Sequence, residues 1–66
     1  MTIILNGDPY VLASPVTIGA LLAQLDIDRR RVAVERNLDV LKRARFDETE
    51  VCDGDQIEIV NFVGGG

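Results

Sequence analysis

Val51-Cys52-Asp53-Gly54-Asp55-Gln56-Ile57-Glu58-Ile59-Val60 runs from a turn into a strand, and Asn61-Phe62-Val63-Gly64-Gly65-Gly66 follows it. Asp53-Gly54-Asp55 is turn chemistry, because glycine takes a positive φ without steric cost and aspartate bonds its own backbone. Gln56 to Val60 then alternates, which sets Ile57 and Ile59 on an inner face and Glu58 on an outer one. A strand of this kind needs neighbours, and the other end of the chain supplies them. Thr2-Ile3-Ile4-Leu5 is β-branched and apolar. Asn6-Gly7 is a strong short hairpin signal, and Tyr10-Val11-Leu12 returns as a second strand with Pro9 at its start. Ile3, Leu5, Tyr10 and Leu12 share the inner face by alternation.

The segment between hairpin and last strand carries one helix. Thr17 is a good N-cap. Ile18, Leu21, Leu22 and Leu25 fall at i, i+3, i+4 and i+7 and form one apolar stripe. Val16 and Leu21 have the spacing of a hydrophobic staple. Gly19 is a weak point within it, costing about 1 kcal/mol relative to alanine. The helix is expected to end near Asp26, with Arg29-Arg30-Arg31 as a solvated loop open to partner contact. Val32 to Glu35 reads as a third strand, Asn37-Leu38-Asp39 as a turn, and Val40-Leu41 as a short apolar pair. Lys42 to Thr49 reads as a loop with a helical turn, Phe46 plugging the edge of the core.

Strands with one apolar face need a cover, so the single helix packs on the sheet. The first and last strands can pair in parallel, since the connection between them is long enough for a crossover. The expected class is α+β: a β-grasp, ubiquitin-like mixed sheet of four to five strands covered on one face by one helix, with a flexible C-terminal Gly-Gly tail. Its organisation is one domain over 1–66, globular to about 61, with 62–66 as tail.

Composition narrows the function. The chain has 66 residues, 47% hydrophobic and 27% charged, which is a globular balance near the lower size limit for folding alone. A single cysteine, Cys52, leaves no intramolecular disulfide or cysteine metal cage, and histidine is absent. Cys52 is read as a small semi-buried filler, and Asp53 and Asp55 as turn-formers. A net charge of −4 disfavours nucleic acid as a partner. No apolar run reaches membrane-spanning length. The first residues enter a strand pattern without a leader signal. A cytoplasmic monomer with protein partners is therefore expected. Gly64-Gly65-Gly66 gives up side chains and stiffness together, so it suits a slot too narrow for other residues. Phe62 and Val63, between strand and glycines, read equally as caps on the core edge or as a docking anchor. Ile4 and Val60, on the outer face, would extend that anchor into a patch.

Together, the helix Thr17–Leu25, the stretch Val51–Val60, the compact length and the Gly-Gly end make the chain resemble the ThiS family of sulfur carriers. The resemblance covers the whole chain. It departs at Leu38, where the family often has glycine after the asparagine, and over Lys42–Glu50 apart from Phe46. The left-handed turn residue would then shift onto Asn37, which tolerates it.

The resemblance implies a cosubstrate rather than an enzyme. A ThiF-like adenylating enzyme, using ATP and Mg²⁺, would activate the Gly66 carboxylate. A persulfide derived from a cysteine desulfurase would displace AMP to give a thiocarboxylate, and thiazole synthase would take the sulfur. Gly64 and Gly65 would thread the tail. Phe62, Val63, Val60 and Ile4 would meet partners, and the carrier itself would bind neither cofactor nor metal. The small subunit of molybdopterin synthase, a ubiquitin-like modifier and an inert interaction module remain alternatives.

Overall fold

The computed structural model describes residues 1–62. The tail positions Val63, Gly64, Gly65 and Gly66 lie outside the described residues. The elements are β1 (Thr2–Leu5), β2 (Asp8–Val11), α1 (Ile18–Gln24), β3 (Val32–Arg36), β4 (Asp39–Leu41) and β5 (Gln56–Asn61), with 3₁₀ turns at Arg29–Arg31 and Arg43–Arg45. One five-stranded sheet has the order β2-β1-β5-β3-β4. The β1–β5 pair is parallel, with Ile4 beside Gln56 and Leu5 beside Ile57. The other three pairs are antiparallel. Strand β5 is thus central, held by β1 on one side and β3 on the other.

Local chemistry accounts for the elements. Asn6 and Gly7 both have positive φ, 49° and 87°, which closes the β1–β2 hairpin in the twist that two-residue loops require. Pro9 lies inside β2 rather than before it, opposite Ile4. An edge strand tolerates it because one side of its backbone faces no neighbour. Thr17 caps α1, its Oγ1 accepting from the Ala20 N–H at 3.1 Å. The helix ends when Asp26 turns left-handed, φ 63°.

The inner face of the sheet and the helix stripe enclose Ile3, Leu12, Ile18, Leu21, Leu22, Val32, Val34, Phe46, Val51 and Ile57. Leu5, Tyr10, Val16, Leu25 and Ile59 pack against that cluster, half-buried. Phe46 is 1% exposed, so the Lys42–Thr49 segment closes the core beside the helix. Burying an aromatic of this size contributes about 2–3 kcal/mol.

Gly19 lies inside α1, as expected; a Cβ there would push aside the end of the exposed Asp47 side chain, which pairs with Arg29 at 2.9 Å. Its N–H donates to the Phe46 carbonyl at 3.0 Å. Two readings need correction. Cys52 is exposed, not semi-buried, because its backbone serves the turn while its side chain lies outside. The turn before β4 takes two left-handed residues, Asn37 at φ 52° and Leu38 at φ 74°, so the strain stays on Leu38 as well.

Candidate functional site: the outer sheet face and the root of the tail

Helix α1 covers one face of the sheet. Along β5 the inward residues Ile57 and Ile59 join the core, while Gln56, Glu58 and Val60 are exposed. Val60 is 53% and Phe62 54% exposed, and alternation puts both on the outer side. Beside them, Val60 is in register with Ala33 and Glu58 with Glu35. Ile4 is half-buried and sits beside Gln56, at the opposite end of β5. Four residue steps along β5 separate it from the level of Val60, about 13 Å. The structure therefore brings Val60 and Phe62 together at the exit of β5 and leaves Ile4 apart from them.

The exit itself is well defined. The Phe62 N–H donates to the Arg31 carbonyl at 2.9 Å, one rung beyond the Val32–Asn61 register pair. Arg31 ends the 3₁₀ turn Arg29–Arg31, which Asp28 caps by accepting from the Arg30 N–H at 3.0 Å. The same carboxylate takes the Arg30 guanidinium at 3.1 Å, and Arg31 Nε lies 3.6 Å away. The Arg30 side-chain bond, followed by the Arg30 backbone bond, lowers the Asp28 pKa to about 2. Across the turn, Arg43 Nη2 donates to the Arg30 carbonyl at 3.3 Å. Arg29 lies over the Phe46 ring, 5.6 Å from its centroid.

At the other end of β5 a polar network fixes the strand's start. Asp55 is 6% exposed. Its carboxylate accepts from Arg36 Nε at 2.9 Å, Asn37 Nδ2 at 3.1 Å and the Cys52 N–H at 2.8 Å. Burial pushes its pKa up, but the bonds from Cys52, Arg36 and Asn37 together outweigh that and hold it below the usual carboxylate range. Asn37 Oδ1 in turn accepts from the Gln56 N–H at 2.9 Å. Asp53 behaves as a turn-former that also ties down β1, accepting from the Thr2 N–H at 2.8 Å. This network was not found in the sequence reading. The available signal was Arg36 itself, a cation on the inner parity of Val32 and Val34, which needs a carboxylate partner.

Among the described residues no group of His, Cys, Asp and Glu is arranged to hold a metal ion. No helix among them is long and apolar enough to cross a membrane.

Known proteins share both the pattern and the shape. The model of the ThiS family matches residues 3–66. A sulfur carrier protein ThiS from Bacillus subtilis is 50% identical over 50 residues, 76% of each chain. A thiazole synthase from Paramagnetospirillum magneticum is 42% identical over all 66 residues. The chain spans only 20% of that protein's length. The crystal structure of a thiamine biosynthesis protein, ThiS, from Geobacter metallireducens superposes with a TM-score of 0.87 at 38% identity, covering all of both chains. With its helix-covered mixed sheet in β-grasp order, this chain belongs to the ThiS family.

Proposed function

We propose that the chain is a sulfur carrier for the thiazole part of thiamin, acting through the main-chain carboxylate of Gly66. The observation that carries this reading is the family match running through residue 66, joined to the 50% identity with a relative named as a sulfur carrier. The likeness to a stretch of a thiazole synthase supports thiazole synthase as the acceptor.

A carboxylate is a poor electrophile, since its charge repels nucleophiles and oxide is a poor leaving group. A ThiF-like adenylating enzyme overcomes both faults. The Gly66 carboxylate oxygen attacks the α-phosphorus of ATP, Mg²⁺ being held by that enzyme, and pyrophosphate leaves. The terminal sulfur of a persulfide from a cysteine desulfurase attacks the acyl carbon and expels AMP. A thiol then attacks the donor-side sulfur of the acyl disulfide. It leaves joined to the donor as a disulfide and releases the thiocarboxylate. Thiazole synthase consumes that sulfur. Every step competes with hydrolysis, so the acyl group must be enclosed away from water. Gly64 and Gly65 let the tail enter such a site. Phe62, Val63 and Val60 anchor it on the partner, and Ile4 makes a separate contact. The carrier supplies a reactive end and a docking body, while its partners supply nucleotide, metal and acid–base groups. Thiol chemistry of this kind suits a reducing cytoplasm.

Intact-mass analysis of protein isolated from its own host tests the reading. A fraction heavier by the sulfur–oxygen difference, located in the last peptide, is expected. Attachment to lysines of other proteins would instead mark a modifier. An unchanged terminus in the presence of the adenylating enzyme, ATP and a persulfide donor would mark an inert module. Deleting Gly65-Gly66 should abolish ATP–pyrophosphate exchange with little change in thermal unfolding.

A further inference from the structure

All seven cations of the chain lie between positions 29 and 45, in a protein of net charge −4. Three of them gather at the root of the tail. Arg31 holds the last rung of the ladder, accepting from the Phe62 N–H. Its side chain is 82% exposed and that of Arg30 78%. Both draw on one carboxylate, Asp28, and Arg31 only at 3.6 Å. Arg43 reaches the Arg30 carbonyl and has no ion pair among the described residues. Asp28 thus pairs with two of the three guanidinium groups beside the exit of β5, and the third, Arg43, meets only a backbone carbonyl.

We propose that Arg30, Arg31 and Arg43 form a cationic collar that seats on acidic side chains around the mouth of the cleft that receives the tail. The inference rests on the carrier reading above and names the chemistry of the partner's rim. Reach makes the contact unavoidable. Four residues, Val63 to Gly66, follow Phe62, and fully extended they span at most about 14 Å. For Gly66 to sit in an enclosed active site, the body must press against the receiving protein, and the groups around Phe62 are those that meet its rim. A guanidinium fork matches a carboxylate in two parallel hydrogen bonds. A nucleotide phosphate is the other anion in this chemistry, but it is joined to Gly66 at the tip of the tail, whereas the collar stands at the root. Protein carboxylates are the occupants in reach. Charges on the rim of an interface chiefly set the association rate and its salt dependence.

The test measures association of the full chain with thiazole synthase from the same organism, at low and high potassium chloride. Arg31→Gln and the double variant Arg31→Gln/Arg43→Gln are compared with Arg31→Lys. Both residues are exposed, so thermal unfolding should stay close to that of the unsubstituted chain. At low salt the double variant should associate roughly five- to twenty-fold more slowly. Its rate should vary less with salt, and Arg31→Lys should retain most of the rate. Unchanged rates and an unchanged salt slope in the double variant would overturn the collar while leaving the carrier reading intact. Saturable ATP binding to the chain alone, lost in the same variant, would reassign the arginines to nucleotide and overturn it too. If the unsubstituted chain bound neither thiazole synthase nor the adenylating enzyme, the carrier reading itself would fall, and the collar with it.

Discussion

Arg36 Nε donates to Asp55 Oδ2 at 2.9 Å, joining the end of β3 to the residue before β5. The two are 19 positions apart, yet the contact sets where the central strand begins. Asp55 also receives the Cys52 and Asn37 donors, so its one carboxylate organises both turns that flank β5 at that end. The strand that carries the tail is therefore fixed at its start by a polar network and at its exit by the Phe62–Arg31 rung.

Replacing Asp55 by asparagine should destabilise the domain by about 1–3 kcal/mol, the cost of leaving buried donors without a charged acceptor. The amide would also turn its own N–H₂ toward Arg36 or Asn37. Asp53→Asn, at an exposed turn with a single Thr2 bond, should cost well under half as much. Urea midpoints of the two variants measure the difference.

The same carboxylate predicts a direction with pH. The Asp55 pKa is lower in the folded chain than the ordinary value, which is about 3.9 in an unfolded one. Its stabilisation is complete above the unfolded value and is lost as pH falls through the folded one. Asp28, also lowered, acts in the same sense. Urea midpoints followed from neutral to strongly acid pH should fall for the unsubstituted chain. The fall should be shallower in Asp55→Asn, and equal slopes would remove Asp55 from the acid response.

Leu38 sits at φ 74° and is 82% exposed. A left-handed conformation costs a residue with a Cβ about 1–2 kcal/mol, and exposure means no burial offsets it. Glycine removes that strain but adds about 0.5–1 kcal/mol of unfolded-chain entropy. Leu38→Gly should therefore raise stability by up to about 1.5 kcal/mol, read as a higher thermal midpoint. A lower midpoint would mean that Leu38 makes a contact its exposure does not suggest.

These residues also mark what the sequence made legible. Alternation identified Ile3, Leu12 and Ile57 as core, and the helical spacing identified Ile18, Leu21 and Leu22, because burial follows period directly. Asn6-Gly7 declared its turn through residues that accept positive φ. Arg36–Asp55 stayed hidden because a long-range polar pair has no period: the inner parity of Arg36 called for a carboxylate without saying which, and Asp55 alone read as part of a turn. Cys52 was placed inside because free cysteines usually are, whereas here its thiol is exposed and meets only polar groups, the Arg36 guanidinium at 3.7 Å and the Glu50 carbonyl at 4.0 Å. The tail's composition raised the expectation of a reactive terminus, which lies outside the described residues, and which outer-face residues surround the exit of β5 depended on strand register.

Glu35 and Glu58 face each other across β3 and β5, and neither joins an ion pair among the described residues. Like charges directly opposite destabilise a sheet by up to about 1 kcal/mol. Glu58→Gln should stabilise the domain by a few tenths of a kcal/mol, about 0.2–1, at low ionic strength. The gain should shrink as salt screens the pair. Chemical denaturation with urea, which adds no ions, at two salt concentrations separates this from a packing effect, which salt would leave unchanged.

Phe62 distinguishes a docking anchor from a core cap. It is 54% exposed, so truncation to alanine removes only part of an aromatic's burial and should cost the fold about 1 kcal/mol or less. An aromatic that fills a partner's pocket commonly accounts for about 2 kcal/mol or more of binding. Phe62→Ala should therefore weaken binding to the adenylating enzyme and to thiazole synthase by about thirty-fold, with a much smaller loss in unfolding free energy. Its backbone N–H to Arg31 survives the substitution, so the course of β5 is kept and the comparison isolates the ring. Matched losses in binding and stability would return Phe62 to the core and leave Val60, Val63, Ile4 and the arginines at the exit as the proposed points of contact.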